Sequence, residues 1–221
     1  MTNQILVVFV HEFGNLRAEL DSALTCNLQL EHSYLVDFSK QLIGWVKKAG
    51  YALLDVNLFP KLSLVPKPRN KDAKNKDARD YASDVMIYLW DNYISLTEAR
   101  QVVLIGHGPG CQNLMDLLNQ RTVSVMRSVR AVVQVVGNYN IPATPRDADE
   151  LRNWYYQHSY VVVPAGHRFL IDGNKFLKKH GRVLPIDEPK PILLITKSFP
   201  SICDFITQMI AASAGFYNPW F

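Results

Sequence analysis

The sequence is poor in cysteine, with only Cys26, Cys111 and Cys203 among its 221 residues. Their odd number and wide spacing exclude a disulfide framework and the paired-cysteine pattern of a structural zinc site. The six histidines also lack the clustered spacing with Asp or Cys that a metal site needs. We therefore expect no metal and no cofactor in this chain, and a protein from a reducing compartment inside the cell.

Long hydrophobic runs are missing too. The longest early run, Ile5 to Val10, is far shorter than the roughly 20 apolar residues of a membrane-spanning helix. No basic segment precedes it in the manner of a signal peptide. The composition, 48% hydrophobic with a net charge of +4 at pH 7, suits a soluble protein with one sizeable core. We predict a single domain over residues 1–221, with no membrane partner, that forms the C-terminal part of a larger chain.

A glycine-rich turn stands near the middle of the chain. Residues 101–113 read QVVLIGHGPGCQN, a buried-strand run followed by a turn and the start of a helix. Its core is Gly106, His107, Gly108, Pro109 and Gly110, which matches the G-x-S-x-G elbow that presents the serine of many hydrolases. Gly108 stands where the serine belongs, and glycine has no side chain that could attack a substrate. The pattern predicts the backbone of a nucleophile elbow without its nucleophile.

Strand-like and helix-like segments alternate on both sides of this turn. The predicted strands are 5–11, 51–59, 101–105, 129–136 and 191–197, and the predicted helices are 33–49, 80–97, 111–120, 148–157 and 201–214. Continuous aliphatic runs in the central strands indicate burial on both faces. The pattern predicts an α/β fold, an α/β-hydrolase-like three-layer sandwich with a mostly parallel central sheet.

The other parts of a hydrolase site are harder to find. The triad histidine of such enzymes follows the last strand, but no histidine follows residues 191–197. The candidate acids, Asp172 and Asp187, have no identifiable partner. His11 and Gly14 fall where hydrolases build part of the oxyanion hole. We predict no catalytic residues in this chain.

Three alternatives to this interpretation stay open. One is an active serine- or cysteine-type hydrolase with a non-standard nucleophile, such as Cys111 or a serine in a loop. Another is a small-molecule site at the amide groups of the turn, because helix N-termini bind anions. The specific phosphate-loop and dinucleotide patterns are absent. The third is an ordinary tight turn.

Three stretches carry a family resemblance. They are SYLVDFSK to GYALLDVNLF within residues 32–59, LWDNYI at 89–94, and the turn at 106–110. The chain resembles the Argonaute-binding-protein-type domain at the C-terminus of fungal class II histone deacetylases. This resemblance implies a nuclear accessory domain, attached to a zinc-dependent deacetylase domain that lies outside this chain. It also implies homodimerisation, assembly with deacetylase-complex subunits, and contact with histones or nucleosomes in heterochromatin silencing and transcription repression.

Two segments are candidate partner surfaces. Residues 61–80 carry seven basic and three acidic side chains. This segment can contact DNA weakly through counterion release, or it can be an ordinary solvated loop. Its candidate residues are Lys67, Arg69, Lys71, Lys74 and Lys76. The tail at 216–221 either completes the core or forms a dimerisation or docking patch. Its candidate residues are Phe216, Tyr217, Trp220 and Phe221.

Overall fold

The computed structural model of the chain describes residues 4–12, 28–58 and 78–213. Its strands are β1 Ile5–His11, β2 Ala52–Asn57, β3 Gln101–His107, β4 Val129–Val135, β5 Ser159–Pro164 and β6 Val183–Ile186. They form one sheet in the order β2-β1-β3-β4-β5-β6. Every neighbouring pair is parallel. All six strands therefore end at the same side of the sheet, which we call the carboxyl-terminal edge, and begin at the opposite, amino-terminal edge.

Seven α-helices connect and cover these strands within the described ranges. They are α1 Leu28–Ala49, α2 Ala78–Leu89, α3 Gly110–Gln120, α4 Thr122–Ser128, α5 Asp149–His158, α6 Arg168–Ile171 and α7 Pro191–Ser213. A π-helical turn, Trp90–Ile94, extends α2, and a 3-10 turn spans Lys178–His180. None of these helices combines the length and the apolar content of a bilayer-spanning segment.

The sheet separates two apolar cores. Alternate residues of each strand point to opposite faces, so Val7 and Phe9 pack with α1 and α7, whereas Val8 and Val10 pack with α2, α3 and α5. The central strands β3 and β4 are buried on both faces, as their aliphatic runs predicted. The three-layer α/β sandwich is confirmed.

The prediction of a last strand at residues 191–197 was wrong. These residues form the first two turns of α7, which continues through Pro200 to Ser213. The sequence was misread because PILLITK is apolar throughout and proline usually interrupts a helix. In α7 the buried residues recur at helical spacing and cover the sheet continuously, which offsets the hydrogen bond that Pro200 removes. They include Leu194, Ile195, Phe199, Ile202, Phe205 and Ile206.

Two strands were missed, and several bounds differ. β5 and β6 complete the sheet beyond β4, and β6 is a four-residue edge strand that contains Pro185. Proline suits an edge position because it cannot donate to a further strand. β3 reaches His107, so the first two residues of the glycine-rich turn belong to the strand. Helix α1 begins earlier than predicted, at Leu28.

Candidate functional site

The turn between β3 and α3 has the shape of a nucleophile elbow. Gly108 has a φ of 55°, in the left-handed region that favours glycine. Its N–H donates to the Val135 carbonyl at 2.9 Å, and its own carbonyl accepts from the Cys111 N–H at 3.1 Å. Gly108 therefore lies at the tip between strand and helix, at the carboxyl-terminal edge, where a serine hydrolase carries its nucleophile.

The two outer glycines of the turn permit close packing. A Cβ added at Gly110 would lie 2.3 Å from the Val10 carbonyl oxygen, which is main chain and cannot move cheaply. A Cβ added at Gly106 would lie 3.0 Å from Leu114 Cδ1 and 3.1 Å from Cys111 Cα. Helix α3 thus approaches β1 and β3 more closely than side chains allow. Close packing at Gly106 and Gly110 and the positive φ of Gly108 account for the three glycines, so no catalytic role is needed to explain them.

The amide groups at the start of α3 are already used. The Cys111 N–H donates to Gly108, and the Gln112 N–H donates to Pro109 at 3.1 Å. Pro109 itself has no N–H to offer. An anion at this helix end would have to compete with these short-range bonds, so the geometry gives no support to a small-molecule site at the turn amides.

Two buried histidines lie beside the elbow, at the ends of β1 and β3. His11 stacks on Phe9, with ring centroids 4.7 Å apart, and its Nε2 lies 2.6 Å from Asp55 Oδ1. Burial, with a smaller contribution from His11, lowers the pKa of His107 to about 3. His107 is therefore neutral at physiological pH. It is a core histidine at the end of β3, inside the glycine-rich turn.

Asp55 is the site residue that sequence reasoning missed. It is the lone acid in the apolar run of β2, and it reaches His11 because β2 pairs with β1 in the register Phe9↔Asp55. A lone acid in a strand is a weak signal, since its partner depends on the register between strands. His11 was placed in an oxyanion-type loop; it is the last residue of β1, and its carbonyl accepts from the Leu58 N–H at 2.8 Å.

Three further histidines make structural contacts. His167 caps α6: its Nδ1 accepts from the Phe169 N–H, so its Nε2 carries the proton that is donated to the Tyr139 carbonyl at 2.8 Å. His180 Nδ1 accepts from the Leu177 N–H. His158 Nδ1 lies 2.8 Å from the Trp154 carbonyl. Since the true last strand is β6, the position of the triad histidine lies after Ile186, and the sequence has no histidine there.

Neither of the two thiols that the structure describes is placed as a nucleophile. Cys111 is buried, and its Sγ donates to the Val135 carbonyl at 3.5 Å, pointing into the core from the first turn of α3. Burial, followed by the charge of Asp204, raises the pKa of Cys203 to about 12, so this thiol on α7 stays protonated. The geometry does not favour a cysteine nucleophile at either position.

The candidate acids lie in loops at the carboxyl-terminal edge. Asp172 caps the end of α6. Asp187 and Glu188 follow β6 and line a shallow pocket of about 230 Å³, together with Asn138 and residues 164–166. Lys197 contacts the two acidic residues of this pocket. Its Nζ donates to the Asp187 carbonyl and lies 3.7 Å from Glu188 Oε2. In the part of the chain that the structure describes, neither aspartate touches a histidine and no cluster of His, Cys, Asp and Glu could hold a metal.

Several predicted site residues of the oxyanion-type loop and of the partner surfaces fall outside the described residues. They are Gly14, the basic residues Lys67, Arg69, Lys71, Lys74 and Lys76, and the tail residues Phe216, Tyr217, Trp220 and Phe221. The structure brings together His11, residues 106–110 and the unforeseen Asp55.

The family of this chain, whose elbow has glycine in place of serine, follows from its similarity to known proteins. The family model of the Arb2-like domain matches residues 1–213. The chain belongs to the Arb2-like domain family. Its resemblance to the accessory domain of fungal deacetylases is thereby confirmed.

Curated relatives of this Arb2-like domain include two fungal proteins. "Histone deacetylase clr3" of Schizosaccharomyces pombe is 24% identical over 212 residues, 93% of this chain and 29% of that protein. "Histone deacetylase HDA1" of Saccharomyces cerevisiae is 27% identical over 209 residues, 93% of this chain and 28% of that protein. "Cotranscriptional regulator ARB2A homolog" of Gallus gallus is 26% identical over 154 residues, 68% of this chain and 36% of that protein. The chain thus spans about a third of these relatives or less.

Solved structures agree on the fold. The structure of the histone deacetylase Clr3 matches with a TM-score of 0.71 at 19% identity, over 94% of this chain and 32% of that chain. The esterase Est1E from Butyrivibrio proteoclasticus matches with a TM-score of 0.51 at 9% identity, over 96% of this chain and 90% of that chain. The Arb2-like domain therefore has an α/β-hydrolase-like fold.

Proposed function

We propose that this Arb2-like domain is a non-catalytic interaction domain of a histone deacetylase. One observation carries the proposal: the elbow is fully formed, but Gly108 at its tip has no side chain. The chain spans 29% and 28% of the two fungal relatives, so a protein of their length has room for a separate deacetylase domain that holds its own zinc. The chemistry belongs to that separate domain in this proposal.

The proposed partners are histones or nucleosomes, further subunits of a deacetylase complex, and a second copy of the chain. The proposed place of action is the nucleus, in chromatin silencing and transcription repression. The names of the fungal and avian relatives, which are deacetylases and a cotranscriptional regulator, support this assignment. The basic segment at 61–80 adds the proposal of a weak DNA contact.

An exposed aromatic surface on α2 and its π-helical turn supports an interaction role. Tyr81, Tyr88 and Tyr93 are each more than half exposed, and the rings of Tyr88 and Tyr93 meet edge to face with centroids 6.1 Å apart. Large exposed aromatic side chains are enriched where proteins bind other proteins. This surface lies on the outer side of the helix layer that also contains α3.

Retention of histone dimers at increasing salt tests the partner proposal. The chain is immobilised, its folding is verified by circular dichroism, and histone dimers are eluted over a salt series. We expect retention at physiological ionic strength, and loss of retention when Tyr81, Tyr88 and Tyr93 are changed together to serine. The matched control changes three exposed side chains elsewhere, Ile43, Ile171 and Leu177, to serine. A folded wild-type chain that retains no histone would contradict the proposed histone contact and leave the other proposed partners to be tested separately.

Sedimentation equilibrium tests the proposed dimer. The tail variant changes Phe216, Tyr217, Trp220 and Phe221 to serine. If the tail forms the dimer contact, this variant sediments as a folded monomer at concentrations where the wild type dimerises. If the variant instead loses cooperative unfolding, the tail completes the core and the dimer proposal needs another surface.

A further inference from the structure

The amino-terminal edge of the sheet gathers basic side chains from three separate stretches. Arg127 lies in the last turn of α4, Arg130 is the second residue of β4, and Arg182 immediately precedes β6. They converge because β4, β5 and β6 are adjacent and parallel, so their first residues lie side by side. We call this group, with Lys178 and the central His158, the basic edge.

Main-chain carbonyls hold the guanidinium groups of the basic edge in place. Arg130 Nη1 donates to the carbonyls of Arg127 at 3.0 Å and Val129 at 3.3 Å, at the end of α4. Arg182 Nη2 lies 3.5 Å from the Gln157 carbonyl, in the last turn of α5. Carbonyls at helix C-termini attract cations but carry no full charge. The two guanidinium groups are therefore positioned without being neutralised.

Their charge lacks a counterion among the described residues. Arg127, Arg130, Lys178 and Arg182 form no ion pair with a carboxylate there. Arg121, at the end of α3, differs, because its guanidinium bonds both oxygens of Asp91 at 2.7 and 2.6 Å. Burial lowers the pKa of His158, and the charges of Arg130 and Arg182 lower it further. Both guanidinium groups therefore lie close to His158, so an anion that bound beside it would be stabilised by both charges.

Two aromatic rings near the basic edge already have a stacking or cationic partner, and Tyr156 stays 38% exposed. Trp154 stacks on His158, with centroids 4.7 Å apart and planes 15° apart. Lys178 Nζ lies 5.8 Å above the centre of the Tyr156 ring. Single-stranded nucleic acids need open rings on which bases stack, whereas a duplex presents its phosphates to cations. Planar guanidinium groups match phosphate oxygens well.

We propose that the basic edge, formed by Arg127, Arg130, Lys178 and Arg182 around His158, binds the phosphate backbone of duplex DNA. This inference deepens the proposed chromatin role, on which it rests, and places a DNA contact on the folded sheet rather than only on the segment at 61–80. The contact carries no base readout, so it is independent of sequence.

Salt-dependent binding of a fluorescein-labelled duplex DNA of random sequence tests the basic edge. The test variant is Arg130→Gln/Arg182→Gln in the full chain. The control is Arg146→Gln/Lys190→Gln, which removes the same charge from exposed positions at the carboxyl-terminal edge. Fluorescence anisotropy gives the affinity between about 50 and 200 mM salt. We expect the slope of log affinity against log salt to become less steep by about 2 in the test variant and to change little in the control.

Three further measurements separate a loss of binding from a loss of fold. Arg130→Lys/Arg182→Lys keeps the charge, so it should keep the steep salt slope. Hydrogen exchange of the wild-type chain should slow on DNA binding at residues 127–130, 157–158 and 178–183. A thermal unfolding curve for each variant shows whether a loss of binding comes from a loss of fold.

Three results would overturn the proposal. The test variant could match the control in salt slope, which would assign any DNA contact to the segment at 61–80. The wild-type chain could fail to bind DNA at low salt. The arginine substitutions could weaken binding of poly-glutamate but not of DNA, which would identify an acidic protein as the occupant. None of these results depends on histone retention, so failure here is distinct from failure of the histone proposal.

Discussion

The two edges of the same sheet use their side chains in opposite ways. At the carboxyl-terminal edge, Gly106, Gly108 and Gly110 serve packing and turn geometry, and His107 is buried and neutral. At the amino-terminal edge, Arg130 and Arg182 stay charged and contact only main-chain carbonyls among the described residues. The first edge resembles a hydrolase site in shape alone, whereas the second has the charge to bind a partner.

If the domain is non-catalytic, as we propose, this difference explains how its hydrolase-like fold can persist. The elbow links β3, α3 and β1 through contacts that only glycines allow, so its shape is needed for the core even when no substrate is bound. Substitutions at the carboxyl-terminal edge should therefore damage stability. Substitutions at the amino-terminal edge should leave stability nearly intact and damage binding.

Gly110→Ala should give the largest effect. Its Cβ would lie 2.3 Å from the Val10 carbonyl oxygen, so α3 must move away from β1. We expect a loss of about 3 kcal/mol in the free energy of unfolding, measured by urea denaturation. Gly44→Ala is the control, because nothing lies within 4 Å of its added Cβ on the exposed side of α1. The control should gain up to about 1 kcal/mol. Equal stability of Gly110→Ala and the wild type would contradict the packing role of the elbow.

Acid should destabilise the carboxyl-terminal edge through His107. Its pKa is about 3 in the folded chain, against 6.5 for an ordinary histidine. Between these values the unfolded chain binds the extra proton, so stability is lost as the pH falls from 6.5 toward 3. We expect a loss of about 2 kcal/mol between pH 6.5 and about pH 5 from this residue.

His107→Gln should remove that part of the acid sensitivity. The remaining pH dependence includes His158 and His180, whose pKa values burial also lowers. Urea unfolding of both proteins across the pH range measures the difference. A His107→Gln variant with the same pH dependence as the wild type would show that His107 does not resist protonation in the fold.

Gly108→Ser restores the residue that the elbow lacks. Its left-handed φ of 55° should cost about 1 kcal/mol in stability for any residue with a Cβ, and Gly108→Ala should cost about the same. We expect no ester hydrolysis by the serine variant, because no histidine follows β6 to activate the hydroxyl. Esterase turnover by Gly108→Ser would show that one of the other histidines can act as the base.

Arg130→Gln should give the smallest change in stability. The side chain contacts two carbonyls at the end of α4 and no carboxylate, so its loss should cost less than about 1 kcal/mol. Thermal unfolding measures this cost. A loss as large as that of Gly110→Ala would make Arg130 a structural residue and weaken the contrast between the two edges.

The features that could be predicted from the sequence are those that have a local sequence pattern. The elbow was predictable because its three glycines lie within five residues, next to a buried strand. The apolar run at 191–197 was ambiguous, since a buried helix and a buried strand look alike over seven residues. The contact of His11 with Asp55 depends on the register between β1 and β2, which no local pattern fixes.

The basic edge depends on topology in the same way. Arg130 and Arg182 are far apart in sequence, and they meet at His158 only because β5 lies between β4 and β6. No local pattern connects these two residues, and β5 and β6 were missed as strands. The most basic segment by composition, at 61–80, drew attention to a different part of the chain.

Chemical labelling tests the central claim most directly. The full chain is incubated with an activated ester and with serine- and cysteine-reactive probes, and the products are analysed by absorbance and by peptide mass spectrometry. With Gly108 at the elbow tip and Cys111 buried, the account predicts no turnover above buffer and no stoichiometric labelling at residues 106–111. Ester turnover together with stoichiometric labelling at one residue, both abolished by substitution of that residue, would contradict it.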